Sequence, residues 1–234
     1  MSVFVTGLTV PRMRKRLSDY AEGDIVRLNE GGTIADFYVA CHNYESGLNG
    51  TGRTLLVRKD CFREDEWDKM TTENQYKSHN AYGSSSIDAW LNDAYNSLLV
   101  LGSNVDIPTT TFYYTHGNDE LSGVNDMTVS TLTRKVFLLS VTELGKEKSG
   151  QCNVEGSALP TASLLEYALL DGSKCSYWTR SPRTDNSQVL LIRNTDGAVA
   201  YETPTLSKGV RPALTLPSNT RFDEETSEFV GVPA

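Results

Sequence analysis

Three histidines and four cysteines are the residues of this 234-residue chain whose chemistry is most readily recognised. His42 follows Cys41 directly, and such a pair suggests a nucleophile with its base. Adjacent residues of a strand point to opposite faces, however, so a strand at this position would keep the two side chains apart. His79 lies in the loop-like sequence SHNAYGSSS, and His116 follows a strand-like segment. We predict that both are surface residues without a catalytic or ligand role.

Metal-binding patterns are missing from the sequence. There is no C-x-x-C pair, and the histidines are far apart, so we expect neither a metal nor a cofactor. The acidic run Glu64–Asp68 lacks the glycine that bends a calcium loop, and we interpret it as the solvated start of a helix. Motifs of phosphate-binding loops, dinucleotide folds, zinc proteases and serine hydrolases are also absent. We therefore expect no catalytic residues and a protein that is not an enzyme.

Two arginine- and proline-containing segments near the carboxyl end have the composition of a rigid frame. A buried arginine is usually held by carboxylates or carbonyls, because its planar group satisfies several acceptors at once. A proline donates no ladder hydrogen bond and belongs at strand ends or bulges. We interpret as structural frame the residues Trp178, Arg180, Pro182, Arg211 and Pro212.

The polar residues between these segments form the candidate binding site. They combine aromatic, charged and amide groups, as protein-binding or glycan-binding surfaces do. An ordinary polar hairpin is the alternative. The candidate residues are Arg183, Thr184, Asp185, Asn186, Arg193, Asn194, Tyr201 and Glu202.

Periodicity and turn signals predict the elements that must position these residues. Strands are predicted around a Gly31-Gly32 turn, in 54–59, 112–115 and 135–140, and in four short segments of the last third. Asp196-Gly197 predicts a hairpin with a type I′ turn. A helical stripe follows Ser85 or Ser86, a second helix is expected in 161–171, and a capping box at Ser140 and Glu143 predicts a short one.

These elements predict an α+β fold: one domain of short antiparallel strands and two or three helices, with an N-terminal arm. We expect the arm over residues 1–22, the domain over 23–217 and an acidic tail over 218–234. The net charge of −8 argues against nucleic-acid binding, and no apolar run is long enough to span a membrane. The basic cluster follows the apolar start, the reverse of a secretory signal, so we expect synthesis in a reducing cytoplasm.

Six motifs in fixed order resemble a domain-of-unknown-function family of phages and prophages of Gram-positive gut bacteria. More loosely, the closing segment is similar to C-type-lectin-like folds of the formylglycine-generating-enzyme type. The six motifs are Gly23–Glu30, Leu55–Asp60, Ile87–Asn92, Val136–Ser140, Trp178–Pro182 and Gly209–Pro217.

The resemblance implies a virion component of C-type-lectin-like architecture, located on a tail fibre, baseplate or capsid. We expect its arm to contact other virion proteins and form a homo-oligomer, and its hairpin to bind a host-surface protein or glycan. A decoration protein that braces neighbouring subunits is one alternative. A formylglycine-type oxidase is another, although no two cysteines match the reactive pair that such enzymes need.

Overall fold

The computed structural model describes residues 13–69, 79–101, 106–119, 124–147 and 150–231. Strands hold 44% of the residues and helices 14%, and a single helix within the described ranges reaches seven residues. The fold is therefore mostly β. The prediction of an α+β, C-type-lectin-like domain with two or three helices is wrong, because two segments predicted to be helical form turns and a hairpin instead.

Strands occur throughout the described chain. In the amino-terminal part they are β1 (Arg14–Arg16), β2 (Ile25–Glu30), β3 (Thr33–His42), β4 (Arg53–Arg58), β5 (Arg63–Glu66), β6 (Leu99–Val100), β7 (Thr110–Asp119), β8 (Val124–Arg134) and β9 (Val136–Phe137). In the carboxy-terminal part they are β10 (Ala168–Leu170), β11 (Ser173–Cys175), β12 (Tyr177–Pro182), β13 (Val189–Ile192), β14 (Val199–Glu202), β15 (Ser207–Val210), β16 (Ala213–Pro217), β17 (Arg221–Asp223) and β18 (Phe229–Gly231).

Two sheets form the body and share one hydrophobic core. The larger has the strand order β6-β2-β3-β4-β16-β9, and the other has the order β14-β13-β12-β15-β5. In the second sheet β12 and β15 are parallel, whereas the other pairings are antiparallel. Smaller sheets are formed by β1-β17-β18, β7-β8 and β10-β11.

The hairpin predicted around Gly31-Gly32 is confirmed. Both glycines have positive φ, 61° and 95°, which a tight two-residue turn requires. In β2, Val26 and Leu28 are buried and their neighbours are less so, as a strand with one face on the core requires.

The helix predicted after Ser85 is also confirmed. Helix α1 comprises Ser46–Asn49. Helix α2, which follows Ser85, consists of three consecutive segments: an α-helical segment Ser86–Trp90, a π-helical turn Leu91–Tyr95 and an α-helical segment Asn96–Leu98. The Ser85 hydroxyl accepts a hydrogen bond from the Asp88 amide at 3.2 Å, which caps the helix. The apolar stripe buries Ile87 and Leu91 in the core.

The predicted capping box forms, but it does not begin a helix. Glu143 accepts from the Ser140 amide at 2.8 Å, and the Ser140 hydroxyl accepts from the Glu143 amide at 3.1 Å. Gly145 follows with φ 64°, and the Lys146 amide bonds the Val141 carbonyl at 2.9 Å. These bonds close the turn two residues after Glu143, so the chain has no room to continue a helix.

The segment 161–171, predicted as a helix, contains only a 3₁₀ turn at Ala162–Leu165 and then enters β10. Asp171 and Gly172 both have positive φ, 50° and 80°, and they connect β10 to β11. This is the two-residue hairpin geometry. Gly172 is therefore the second residue of a hairpin turn rather than a helix C-cap.

Two polar segments form strands that the sequence analysis did not anticipate. Residues 116–119 and 124–131, for which no strand was predicted, belong to β7 and β8, which pair as antiparallel strands. The acidic run is β5, which pairs with β15 at the edge of a sheet, so its interpretation as a helix start is wrong. Strand formation depends on the residues of the neighbouring strand, such as Lys208, which lies opposite Asp65.

The described parts of the predicted arm and tail pair with each other. Arg14 lies opposite Asp223, and Arg16 lies opposite Arg221. Leu17 is fully buried, and its amide bonds the Thr220 carbonyl at 2.7 Å. Residues 13–22 and 218–231 are therefore integrated into the folded unit, whereas residues 1–12 of the arm and 232–234 of the tail lie outside the described residues.

Candidate recognition surface

Arg180 lies at the centre of the frame, fully buried in β12. Its Nη1 donates to Glu143 Oε2 at 2.6 Å and to the Leu138 carbonyl at 2.8 Å, and its Nε donates to the Tyr113 carbonyl at 3.0 Å. Burial alone would lower the pKa of Arg180, but the attraction of Glu143 outweighs it and raises that pKa. The charge is thus retained inside the core, and β12 is fixed to the turn that follows β9.

Arg211 and Pro212 lie where the chain passes from one main sheet to the other, between β15 and β16. Arg211 is buried and donates to three carbonyls, those of Arg58 at 2.8 Å, Lys59 at 2.6 Å and Leu165 at 2.8 Å. The side chain therefore holds the crossover, β4 and the turn before β10 in one arrangement.

Trp178 and Pro182, the remaining frame residues, are buried in β12. The Trp178 indole donates to the Asp65 carbonyl at 3.0 Å, which ties β12 to β5. Pro182 is the last residue of β12, after a register shift that begins at Trp178. A proline fits there because the ladder is already interrupted.

Six of the eight candidate binding residues separate into two groups. The first, which we call the base group, consists of Arg183, Asp185, Asn186 and Tyr201. The Arg183 guanidinium lies 3.9 Å from the centre of the Tyr201 ring, and it donates to Asp185 at 2.8 Å and to Gln188 at 2.9 Å. Tyr201 is 38% exposed, so the stacked pair presents an aromatic surface to solvent.

Asn80 fixes the loop that carries the base group, and no pattern in the sequence signalled this role. It is fully buried, and its Nδ2 donates to the carbonyls of Arg183 at 3.2 Å, Asn186 at 2.9 Å and Gln188 at 3.0 Å. A side chain at position 80 thus positions residues about a hundred places later. Only the folded chain brings them together.

The second group, which we call the tip group, consists of Arg193 and Asn194 at the end of the β13–β14 hairpin. Arg193 pairs with Asp196 at 2.5 Å with both side chains about half exposed, whereas Asn194 donates to the Lys174 carbonyl at 3.1 Å. The hydrogen bond from the Ala198 amide, helped by Arg193, lowers the pKa of Asp196. Asn194 thus attaches the hairpin to β11, which is a structural contact.

The hairpin prediction at Asp196-Gly197 is correct, but the type of turn is wrong. Gly197 has φ 64°, whereas Asp196 does not have positive φ. The Arg193 amide bonds the Ala198 carbonyl at 2.9 Å, and the Gly197 amide bonds the Arg193 carbonyl at 3.1 Å. The connection is a longer turn, held by the Asp196 side chain, which accepts from the Ala198 amide at 3.1 Å.

Thr184 and Glu202 complete the predicted set. The Thr184 amide donates to the Gln151 carbonyl at 3.1 Å, and the Glu202 carboxylate lies 3.9 Å from the Lys208 ammonium. Both are partly exposed beside the base group in sequence. The structure therefore leaves the predicted surface accessible, with its stacked aromatic pair on the base side.

A family model described as Domain of unknown function (DUF6273) matches residues 51–218. The match covers more than half of the chain and includes the frame, the base group and the tip group. The chain belongs to this family. Of the six motifs, only Gly23–Glu30 lies before the matched residues. No curated protein and no solved structure matches the chain. Within the described residues, helices are too short or too polar to cross a bilayer.

Away from the candidate recognition surface, this DUF6273 member has a polar cleft of about 320 Å³, lined by Cys41, His42 and Glu45 among others. Burial raises the pKa of the Cys41 thiol to about 12, so the thiol is protonated and unreactive near neutral pH. The His42 ring bonds Thr54 Oγ1 and the Tyr20 carbonyl, both at 2.9 Å. These contacts give His42 a structural role and do not form a cysteine–histidine nucleophile.

Two other cysteines meet inside the fold, although their spacing in the sequence gave no sign of it. A β-carbon at Gly209 would lie 2.4 Å from Cys61 Sγ and 2.8 Å from Cys175 Sγ. The Cys61 thiol donates to the Cys175 sulfur, and this bond lowers the pKa of Cys175. Both thiols are free and buried, and neither lines the polar cleft.

Proposed function

We propose that this protein is a phage or prophage virion component that binds a host-surface protein or glycan through the base group. The observation that carries the proposal is the Arg183–Tyr201 stack. Arg183 lies on a loop and Tyr201 on the edge strand β14, and Tyr201 is partly exposed to solvent. Arginine and tyrosine provide much of the contact energy of protein surfaces. The virion assignment is supported by the amino-acid sequences of the six motifs and by their order along the chain.

The loop that carries the base group is organised before any partner arrives. Asp185 and Gln188 hold the Arg183 guanidinium, and Asn80 holds the backbone carbonyls of the same loop. Binding then needs little ordering of side chains, which would otherwise weaken the association. Repetition of the subunit on a particle multiplies a weak single contact into firm attachment.

Bracing of neighbouring subunits is the second candidate function, and an apolar surface favours it. Leu164, Tyr167 and Leu169 are exposed by 45%, 39% and 37%, and they follow one another closely around the start of β10. Exposed apolar residues of this kind commonly contact other proteins. In that case this surface, rather than the base group, would hold the contacts that matter.

Alanine variants of the two surfaces separate the candidates. Particles carrying Tyr201→Ala should adsorb to whole host cells roughly tenfold more slowly or worse, because a contact residue of this type supplies a large share of binding energy. Tyr167→Ala is the matched control, since Tyr167 has nearly the same exposure and is also stacked by a cation, Lys174, at 4.2 Å. It should leave adsorption unchanged.

The opposite pattern would refute the recognition proposal. If intact Tyr201→Ala and Arg193→Ala particles adsorb like the wild type, the base and tip groups do not bind the host. If Tyr167→Ala instead yields particles that lose subunits or break on heating, the bracing function is supported. Electron micrographs of each preparation establish whether the particles are intact.

A further inference from the structure

Asp68, His79 and Ser84 form a hydrogen-bonded series that the sequence analysis missed. His79 is only 7% exposed, so its prediction as a surface residue is wrong. Its Nδ1 lies 2.6 Å from Asp68 Oδ2, and its Nε2 lies 3.1 Å from Ser84 Oγ. Asp68 follows β5, His79 precedes the 3₁₀ turn Tyr82–Ser84, and Ser84 ends that turn shortly before α2.

The partners of His79 determine its tautomer. An ionised carboxylate can only accept a hydrogen bond, so the proton of a neutral His79 lies on Nδ1, facing Asp68. Nε2 then carries a lone pair and accepts the hydrogen of the Ser84 hydroxyl. Among the described residues, the Ala81 carbonyl is a second acceptor for that hydroxyl, and it is farther away at 3.4 Å. This is the arrangement in which an imidazole can remove a proton from a serine.

Asp68 is held in its charged form. Its second oxygen accepts from the Ser86 amide at 3.0 Å and from the Ser86 hydroxyl at 2.7 Å. Burial would raise the pKa of Asp68, but the hydrogen bonds from His79 and Ser86 outweigh it and lower that pKa. The carboxylate therefore stays ionised near neutral pH and can stabilise a protonated His79.

Ser84 is exposed, unlike the other two residues. Apolar side chains of the β7–β8 hairpin lie beside its turn: a β-carbon at Gly83 would be 3.7 Å from Leu132 Cδ2 and 3.8 Å from Tyr114 Cε2. Gly83 itself adds no side chain to this surface. Because Ser84 is exposed, a small molecule can reach its side chain from solvent.

We propose that Ser84 is the nucleophile of an acyl-transfer site that hydrolyses small carboxylic esters. Ser84 Oγ attacks the ester carbonyl, and His79 Nε2 takes the hydroxyl proton and passes it to the departing alcohol. The acyl-serine is then attacked by water, whose proton goes to His79 and returns to Ser84 Oγ as the acid leaves. Ester and water are converted to acid and alcohol, with no other reactant.

This activity goes beyond recognition and departs from the expectation that the protein has no catalytic residues. The sequence lacks the G-x-S-x-G motif, and Ser84 is the last residue of a 3₁₀ turn rather than part of the strand-to-helix turn that the motif forms. A purely structural role for the cluster needs the Asp68–His79 bond to secure the start of α2. A structural role does not require an accessible hydroxyl beside His79 Nε2. Substitution of Ser84 therefore distinguishes the structural role from the catalytic one.

The test uses the full chain with a fluorophosphonate probe, which attaches covalently to activated serines, and with p-nitrophenyl acetate as substrate. We expect one adduct, mapped to Ser84 by peptide mass spectrometry, and turnover above the buffer rate. Ser84→Ala should abolish the adduct and reduce the rate at least roughly 100-fold. Ser97→Ala is the control, because Ser97 is an exposed serine of α2 bonded only to a carbonyl in the described contacts, that of Asp93 at 2.7 Å. It should behave like the wild type.

The control variants also define what would overturn the proposal. Ser84→Ala changes an exposed side chain, and a wild-type melting temperature will show that it is folded. His79→Gln should lose the adduct while Ser84 remains in place. An unlabelled wild-type protein, or labelling that persists in Ser84→Ala, would overturn the proposal. Host adsorption by Ser84→Ala particles should stay normal, so failure here is distinct from failure of the recognition proposal.

Discussion

Arg180 and Glu143 form an ion pair of 2.6 Å with both side chains completely buried. The same carboxylate accepts hydrogen bonds from the Tyr44 hydroxyl and the Ser140 amide. Glu143 therefore connects β12, the segment that follows β3 and the turn after β9. A buried pair of this kind contributes little over an apolar replacement, but breaking it leaves an uncompensated charge in the core.

Replacing Arg180 with methionine should therefore lower the free energy of unfolding by roughly 3 to 5 kcal/mol. The expected loss comes from Glu143 and from two carbonyls left without their donor. Arg193→Met is the control, because the Arg193–Asp196 pair is about half exposed and should contribute within about 0.5 kcal/mol. Urea denaturation measures both. Equal losses would contradict the role of the buried pair.

Asp88 should make stability depend on pH. Burial raises its pKa from 3.8 to about 6, although Arg134 lies 2.7 Å away. Between about pH 4 and 6 the folded protein keeps a proton that the unfolded chain has lost. The contribution of Asp88 to the free energy of unfolding is thus fully present below pH 4. It falls by roughly 2 to 3 kcal/mol as the pH rises to 6.

The variant Asp88→Asn isolates this effect, because its side chain does not titrate. The difference in unfolding free energy, wild type minus variant, should decrease from pH 4 to pH 6 and then stay constant. Denaturation curves at half-unit pH steps provide the measurement. A difference that is flat, or that grows with pH, would show that the folded-state pKa of Asp88 is not raised.

Gly209 should tolerate no side chain while both neighbouring thiols are present. Alanine would place its β-carbon 2.4 Å from Cys61 Sγ, and we expect a loss of about 1 to 3 kcal/mol from the resulting shifts. Adding Cys61→Ala removes the nearer sulfur and should recover part of that loss. Cys41→Ala is the control: when it is combined with Gly209→Ala, the losses in unfolding free energy of the two substitutions should add. Additivity in both double variants would contradict the steric explanation.

Gly172 tests backbone conformation without a packing change. It has φ 80°, and a β-carbon there would meet no atom within 4 Å. Gly172→Ala should therefore cost about 1 kcal/mol through backbone strain alone. Gly47 in α1 is also in open space but has no positive φ, so Gly47→Ala should be neutral or slightly stabilising. Thermal unfolding compares them, and equal shifts would exclude a turn-specific cost.

Asn80 should affect host attachment although it is fully buried. Asn80→Ala removes three hydrogen bonds to carbonyls of the base-group loop, of which the Gln188 carbonyl keeps its bond from the Arg183 amide. The loop should become more mobile, and adsorption should fall as in Tyr201→Ala. Asn92→Ala is the control, since Asn92 bonds the Val136 carbonyl at 3.0 Å in another part of the fold. It should reduce stability without changing adsorption, and a reduction in adsorption there would indicate a general folding effect.

Local signals predicted the elements whose conformation is decided locally. The stripe after Ser85 and the Gly31-Gly32 turn were predicted correctly, because capping and positive φ are properties of a few adjacent residues. Asp171-Gly172 carried the same hairpin signal as Asp196-Gly197, but the leucines before it resembled a helical stripe. The cross-strand pairing of β10 with β11 decided against the helix.

Contacts between distant segments could not be predicted from spacing. His79 is buried, and its ring contacts Asp68 and Ser84 near the start of α2. Cys61 and Cys175 meet because Gly209 leaves space for both sulfurs. The composition of the polar set indicated a surface, but only the strand register separated its base group from its tip group. Sites formed by residues that are distant in the sequence can be recognised only once the fold is known.

The pairing of β1 with β17 sets the order in which a nascent chain can finish folding. Arg14 is synthesised more than two hundred residues before its partner Asp223. Strand β1 must therefore stay unpaired with β17 while the residues between them are made. Chaperones that hold early segments apart should matter more for this protein than for one built from sequential hairpins, because this sheet cannot form until β17 has been synthesised.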